Sequence, residues 1–339
     1  MAKNHPIWNS FAAGEVSPRI WSRSDLPAWR SGCAQLTNFI ATSHGPVVRR
    51  GGFEYLGQSP GTAGTVFGFQ IDVAVGYAIC ITENEIRIYN LSFRAAQLIT
   101  HETEPVTYLG EPITVATKGY VAEQVLESPW NALEIPQLRA EVLPGSTTMF
   151  FVCPTTRPQE LIFDPTAEQG MQWEIQDISF TPDPVEWHSP DNWPTCLAFF
   201  QGRSWFAGTK EEPETFWGSQ SGNFRDFTEG TNADQALEFT LAKAGKIMWL
   251  AGAQTLVIGT VNGEYVANSD AGVISPSDID VNQQSAYGSR YVQSRMVGNI
   301  TLYASPDGRK LRDVGYRWEE TNWVSRVVTV VSELISAVT

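Results

Sequence analysis

A chain of 339 residues with 42% hydrophobic and 18% charged side chains is long enough to bury a substantial core and too apolar to be disordered. Its net charge of −14 argues against tight binding to a nucleic-acid backbone, which needs clustered Lys and Arg. Four widely spaced cysteines (Cys33, Cys80, Cys153 and Cys196) form no CxxC pair and have no histidine at metal-ligand spacing, so they read as reduced thiols used as small hydrophobes.

No run of about 18 apolar residues occurs, so no membrane span is expected. The opening MAKNHPIWNSF lacks the apolar core of a signal peptide, and folding in a cytoplasm is expected. Pro6, Gly14 and Pro18 break any periodic pattern before residue 25. Leu26, Trp29, Cys33, Leu36 and Ile40 then fall at helical spacing, with Ser24 or Asp25 as cap and Pro27 in the first turn. This predicts a short amphipathic helix. His44-Gly45-Pro46 reads as a turn leading to Val47-Val48 and the basic pair Arg49-Arg50.

From Thr65 onward the pattern is that of strands. Five segments share one form, an apolar strand, a polar loop and a second strand: AICITENEIRIYN, MFFVCPTTRPQELIFD, SWFAGTKEEPETFWGS, TLVIGTVNGEYVAN and TLYASPDGRKLRDVGY. A small sheet of this kind cannot bury its face alone, so neighbours stack around an axis. The expected fold is mainly β, a propeller-like arrangement of small antiparallel sheets with a short N-terminal helical segment. An ordinary β-sandwich with hairpins remains the alternative, because no familiar blade signature such as a WD repeat is present. Between residues 92 and 145, Pro105, Pro112, Pro129, Pro136 and Pro144 separate short apolar pieces, which suggests an inserted lobe. The apolar run Val327 to Ile335 reads as the start of a further segment in a longer chain, or as a terminal element docked on a partner.

No Walker loop, GxGxxG, GxSxG or HExxH is found, and the four histidines stand in loop-like contexts. Glu211, Glu212 and Glu214 beside Phe216 and Trp217 have the residue types of a glycosidase site, with a solvated loop tip as the competing reading. Asp270, Asp278 and Asp280 suggest a calcium loop, but Pro276 and the spacing fit no EF-hand. Twelve tryptophans fit sugar binding or, more simply, cores and subunit contacts. No catalytic, cofactor or metal residue is assigned, and a non-enzyme is expected.

Phe11, Gly14-Glu15-Val16-Ser17-Pro18, Arg23, Asp25-Leu26, Trp29, Gly32, Leu36, Asn38-Phe39, Gly45 and Arg49-Arg50 follow one another in order. This series resembles the opening of the tail nozzle, or tail tubular protein B, family of short-tailed (podovirus-type) double-stranded DNA bacteriophages. Gly51-Gly52 stands where that family has Pro-Gly. Phe216-Trp217-Gly218-Ser219, Ile258-Gly259-Thr260 and Gly308-Arg309-Lys310-Leu311-Arg312 also look like the family.

The resemblance implies a structural subunit of the virion tail, assembled in the host cytoplasm. It would form a hexameric ring that continues the DNA channel below the head–tail adaptor and anchors tail fibres or spikes. Double-stranded DNA would pass through the lumen without specific binding. Residues 1–60 would then be an assembly arm, 61–326 the propeller-like domain and 327–339 the start of a further segment. Arg23, Asp25, Arg49 and Arg50 would serve subunit or adaptor contacts, with intramolecular ion pairs or solvent-exposed charges as the alternative. Glu211, Glu212 and Glu214 would be a channel-facing acidic loop. The competing functions are a carbohydrate-binding or carbohydrate-cleaving β-propeller and another fibre-attachment component of the virion.

Overall fold

The computed structural model describes residues 9–52, 63–72, 75–91, 98–102, 106–108, 111–113, 116–120, 122–168, 170–242, 245–318, 320 and 322–329. Five four-stranded sheets succeed one another along the chain. The first holds Gly64–Gln70, Gly76–Thr82, Glu85–Asn90 and Gln124–Glu127, and the second Arg139–Val142, Thr148–Cys153, Thr156–Phe163 and Trp173–Asp177. The third holds Cys196–Phe200, Arg203–Ala207, Thr215–Gly218 and Leu237–Thr240. Ile247–Gly252, Leu256–Thr260, Glu264–Asn268 and Asp280–Ser285 form the fourth. Arg295–Val297, Ile300–Ala304, Leu311–Arg317 and Asn322–Val327 form the fifth. In every sheet, strands adjacent in order lie side by side.

The five strand–loop–strand segments read from the sequence are the two central strands of the five sheets, one pair in each. Between the third and fourth strands of the first sheet the chain makes two further hairpins, Leu98–Glu102 with Ala116–Tyr120 and Val106–Tyr108 with Glu111–Ile113. The insertion is therefore narrower than 92–145. Gln124–Glu127 closes the first sheet and Arg139–Val142 opens the second, because their backbone groups complete those ladders.

Contacts divide the chain into two units: Met1–Phe53 with Val261–Glu264 and Gln284–Thr339, and Glu54–Thr260 with Tyr265–Gln283. In the second unit, the first strand of the third sheet packs beside the first strands of the second and fourth. The last strands of the first and second sheets are also neighbours. The Gln124 amide donates to the Trp173 carbonyl (2.7 Å) and accepts from the Trp173 N–H (2.8 Å). First strand beside first and last beside last is the propeller-like arrangement of small antiparallel sheets.

Aromatic residues fill the spaces between these sheets. Trp173 meets Tyr77 and Phe69 with ring centroids 4.9 and 5.3 Å apart, joining the first and second sheets. Phe150 of the second sheet and Phe206 and Trp217 of the third share a cluster with Phe180, Trp187 and Phe227. Each aromatic pair contributes roughly 0.5–1.5 kcal/mol beyond the area it buries. Trp205 lies opposite Gly218, and a Cβ there would stand 2.7 Å from the indole. At Gly259 a Cβ would stand 2.0 Å from the Trp249 ring, so both glycines are required by close approach.

In the first unit, the expected amphipathic helix reduces to a single turn, Pro27–Arg30. Gly32–Cys33 pairs in parallel with Gly14–Glu15 instead, and Val16 N–H donates to the Cys33 carbonyl at 2.9 Å. Gly32 favours this outcome, being a poor helix former whose missing side chain admits Val16. Leu26, Trp29, Cys33 and Leu36 thus share a spacing without sharing a helix. A hairpin of Phe39–Ala41 and Val47–Arg49 follows. The run 330–339, with most of the expected further segment, lies outside the described residues.

Candidate functional site

The residues of the N-terminal series meet one another. The Glu15 carboxylate accepts from the Leu36 N–H at 2.8 Å, across 21 positions. The Trp21 indole donates to the Val16 carbonyl (3.1 Å), and the Trp29 indole to the Trp21 carbonyl (2.6 Å). Arg50 Nε donates to Asn38 Oδ1 at 3.1 Å, tying the two ends of the hairpin. Gly14 and Gly45 have φ of +66° and +104°, and a Cβ on Gly45 would crowd Ser10 at 2.8 Å. The series encodes a folded module of short elements held by capping and indole hydrogen bonds.

Arg23 and Asp25 form a two-pronged ion pair at 2.8 and 2.7 Å, with both side chains more than half exposed. The hydrogen bond to Arg23 draws the Asp25 carboxyl below its ordinary range, and the same bond raises Arg23. These two serve each other within one turn. Arg49 differs, being exposed with no ion pair or hydrogen bond among the described residues. Opposite it in register Phe39 is 48% exposed, and on the other face of the hairpin Ile40 and Val48 are 58% and 54% exposed. One face of the hairpin is therefore apolar and cationic, and the other apolar.

The acidic loop of the third sheet divides three ways. Glu214 Oε1 accepts from the Gly245 N–H at 2.6 Å, and Glu212 Oε2 accepts from Thr215 Oγ1 at 3.1 Å. Glu211 is exposed and stands 3.5 Å from His188. Trp217, the ring expected beside them, is 2% exposed and donates to Glu238 Oε2 at 3.0 Å, so it offers no stacking face at that loop. Asp278 accepts from Ser269 Oγ (2.8 Å) and the Ala271 N–H (3.0 Å), which closes its own loop. Among the described residues no group of His, Cys, Asp and Glu is arranged to hold a metal. No helix among them is long and apolar enough to cross a membrane. Cys153 and Cys196 are buried, and burial pushes the Cys196 thiol up to about 11, far from a nucleophile's range.

Among the described residues five charged side chains are buried, and sequence reasoning missed the two that are wholly inaccessible. Arg203 is fully buried; its guanidinium donates to the carbonyls of Ser219, Gln235 and Ala233. Glu264 is fully buried and accepts from Ser285 Oγ and, at 3.0 Å, Ser289 Oγ. Burial holds the Glu264 carboxyl above the usual range, against the pull of its hydroxyl donors and Arg312. Each is one charged residue at the start of an otherwise apolar strand, which is the signal the sequence offers.

No family model matches the chain, and no curated protein does. Among solved structures it is similar to the Cps50 (Swd1) β-propeller domain of Myceliophteria thermophila, at 9% identity and TM-score 0.42 over 75% of this chain and 70% of that one. A structure of BBS1N in complex with ARL6DN is similar at 11% identity and TM-score 0.35, over 79% and 69% of the two chains. Kluyveromyces lactis Hsv2p is similar at 8% identity and TM-score 0.27, over 74% and 93%. At these scores the likenesses carry no argument, and the fold stands on the strand order and sheet contacts.

Proposed function

We propose that this propeller-like protein is a structural subunit of a bacteriophage tail, one of six in a nozzle ring below the head–tail adaptor. The observation that carries the reading is the N-terminal module. Its phage-tail-like residues contact one another and leave Phe39 and Arg49 exposed on one face of the hairpin and Ile40 and Val48 on the other. Exposed apolar side chains beside an unpaired guanidinium suit a protein contact better than a reaction. The ring would pass double-stranded DNA without specific binding, consistent with a net charge of −14, and would carry fibres or spikes outside. The sheets alone fit equally a propeller that binds or cleaves carbohydrate, or another fibre-attachment component.

Averaged negative-stain images of the purified protein, alone and with adaptor rings, test the reading. Six-fold rings that join the adaptor are expected. A strictly monomeric species that also ignores the adaptor would overturn it, and binding on a glycan panel would move support to the carbohydrate reading.

A further inference from the structure

The third sheet carries a cavity of about 330 Å³ beside its last strand. Its floor is apolar, made by Trp217, Phe227 and Leu237 with Pro182 and Val185 on the adjoining loop. Three carboxylates, Glu186, Glu229 and Glu238, stand over that floor. A fourth acid, Asp183, is already held by Arg157 at 2.6 Å. The other three face no Lys or Arg among the described residues; the Trp217 indole is the one donor bonded to Glu238. Glu238 is exposed as a residue, yet its carboxyl rests on the indole. That partial burial, with the charges of Glu186, Glu229 and Glu212, raises its pKa.

A mainly apolar floor under an uncompensated carboxylate rim suits an organic cation with an apolar neck, above all a guanidinium. The same chain supplies one. Residues 1–53 hold six of the 23 Lys and Arg but two of the 37 Asp and Glu, so the arm is basic and the remainder strongly acidic. On the Phe39–Ala41/Val47–Arg49 hairpin, exposed Phe39 lies directly opposite the unpaired Arg49, so an apolar ring and a guanidinium share one face, the pair of groups that floor and rim call for.

We infer that this cavity receives the Phe39/Arg49 face of the hairpin from a second copy of the chain. The contact is head-to-tail, because cavity and hairpin are different parts of the chain, and a contact of that kind closes into a ring when the rotation allows. It rests on the reading of the chain as a subunit of an assembly and assigns the place where copies meet.

Charge exchange tests it by sedimentation velocity on full-length chains. Arg49→Glu and the pair Glu186→Arg/Glu229→Arg are each expected to weaken association at least tenfold, with melting temperatures unchanged. An equimolar mixture of the two is expected to regain it, because a reversed hairpin meets a reversed rim. Association of the wild type is expected to weaken with added salt. As a second measurement, a labelled peptide of residues 37–52, which spans both strands of the hairpin, is expected to bind the wild-type chain and not the cavity variant. A cavity variant that assembles like the wild type, a mixture that does not recover, or a peptide bound equally by both would overturn the inference. Rings that persist in the cavity variant leave the nozzle reading standing and remove only this contact. A wild-type chain that never associates and ignores the adaptor removes both.

Discussion

The region around Arg203 and the region around Glu264 each bury a full charge with no opposite charge in contact, and they dispose of it differently. Arg203 lies in the third sheet, and its guanidinium takes three carbonyls from the segment 219–235. That segment joins the third strand to the fourth and supplies Phe227 and Glu229 to the cavity. Burial lowers the Arg203 pKa from a high starting point, so the charge persists at any working pH. Glu264 instead has hydroxyl partners from Ser285, Ser289 and Tyr303, and the Tyr303 hydroxyl also bonds to Ser325 at 2.7 Å. A carboxyl among hydroxyls is served in either protonation state. The first device is a permanent staple; the second can change charge.

The largest effect should come from breaking the staple. Arg203→Met leaves the buried Ser219 carbonyl and the part-buried carbonyls of Ala233 and Gln235 without their donor. A loss of about 3 kcal/mol is expected, the upper end of the cost of an unsatisfied buried acceptor. It is measured by chemical denaturation, with limited proteolysis expected to cut first within 219–235. A variant as stable as the parent would show that the segment holds itself. Gly218→Ala tests the sheet beneath it: the new Cβ meets the Trp205 ring at 2.7 Å, and about 1–3 kcal/mol should be lost to overpacking.

That ranking also explains how much of the molecule the sequence shows. Central strands such as Thr148–Cys153 and Leu256–Thr260 are buried along their whole length, so they appear as continuous apolar runs. Edge strands such as Trp173–Asp177 and Asp280–Ser285 bury few positions and read like loops. The helix expected after Asp25 fails because periodicity records which residues are apolar, not which neighbours they meet, and Val16 captures Cys33 first. Of the candidate site residues, Arg23 and Asp25 could be paired from sequence because they stand two apart. Glu186, Glu229 and Glu238 come together only through the turns of one sheet, which spacing does not reveal.

The second device should show itself in pH dependence. The folded pKa of Glu264 lies above its unfolded value, so the group favours folding when protonated, below the unfolded pKa. That contribution is lost as pH rises through the folded value. Glu264→Gln keeps the shape and cannot ionise. The gap in melting temperature between variant and parent should therefore open in favour of the variant as pH rises above the ordinary glutamate range, about pH 4. A gap that is widest in acid would mean that the ionised carboxylate, with its hydroxyl donors and Arg312, is the favoured native form.

The smallest effect separates neighbours in the acidic loop, where the staple principle recurs at the surface. Glu214 holds the Gly245 N–H and ties the loop to the segment before the fourth sheet, whereas Glu211 reaches only an exposed histidine. Glu214→Ala should cost about 1 kcal/mol, the net worth of one such hydrogen bond. Glu211→Lys should leave the melting temperature unchanged, since exposed pairs contribute little. If the loop faces passing DNA, Glu211→Lys should nonetheless slow ejection from assembled virions, because a lysine attracts the phosphates that a glutamate repels. Unchanged ejection with unchanged stability would place Glu211 away from the channel, and an equal loss of stability in both variants would show that His188 holds Glu211 as firmly as Gly245 holds Glu214.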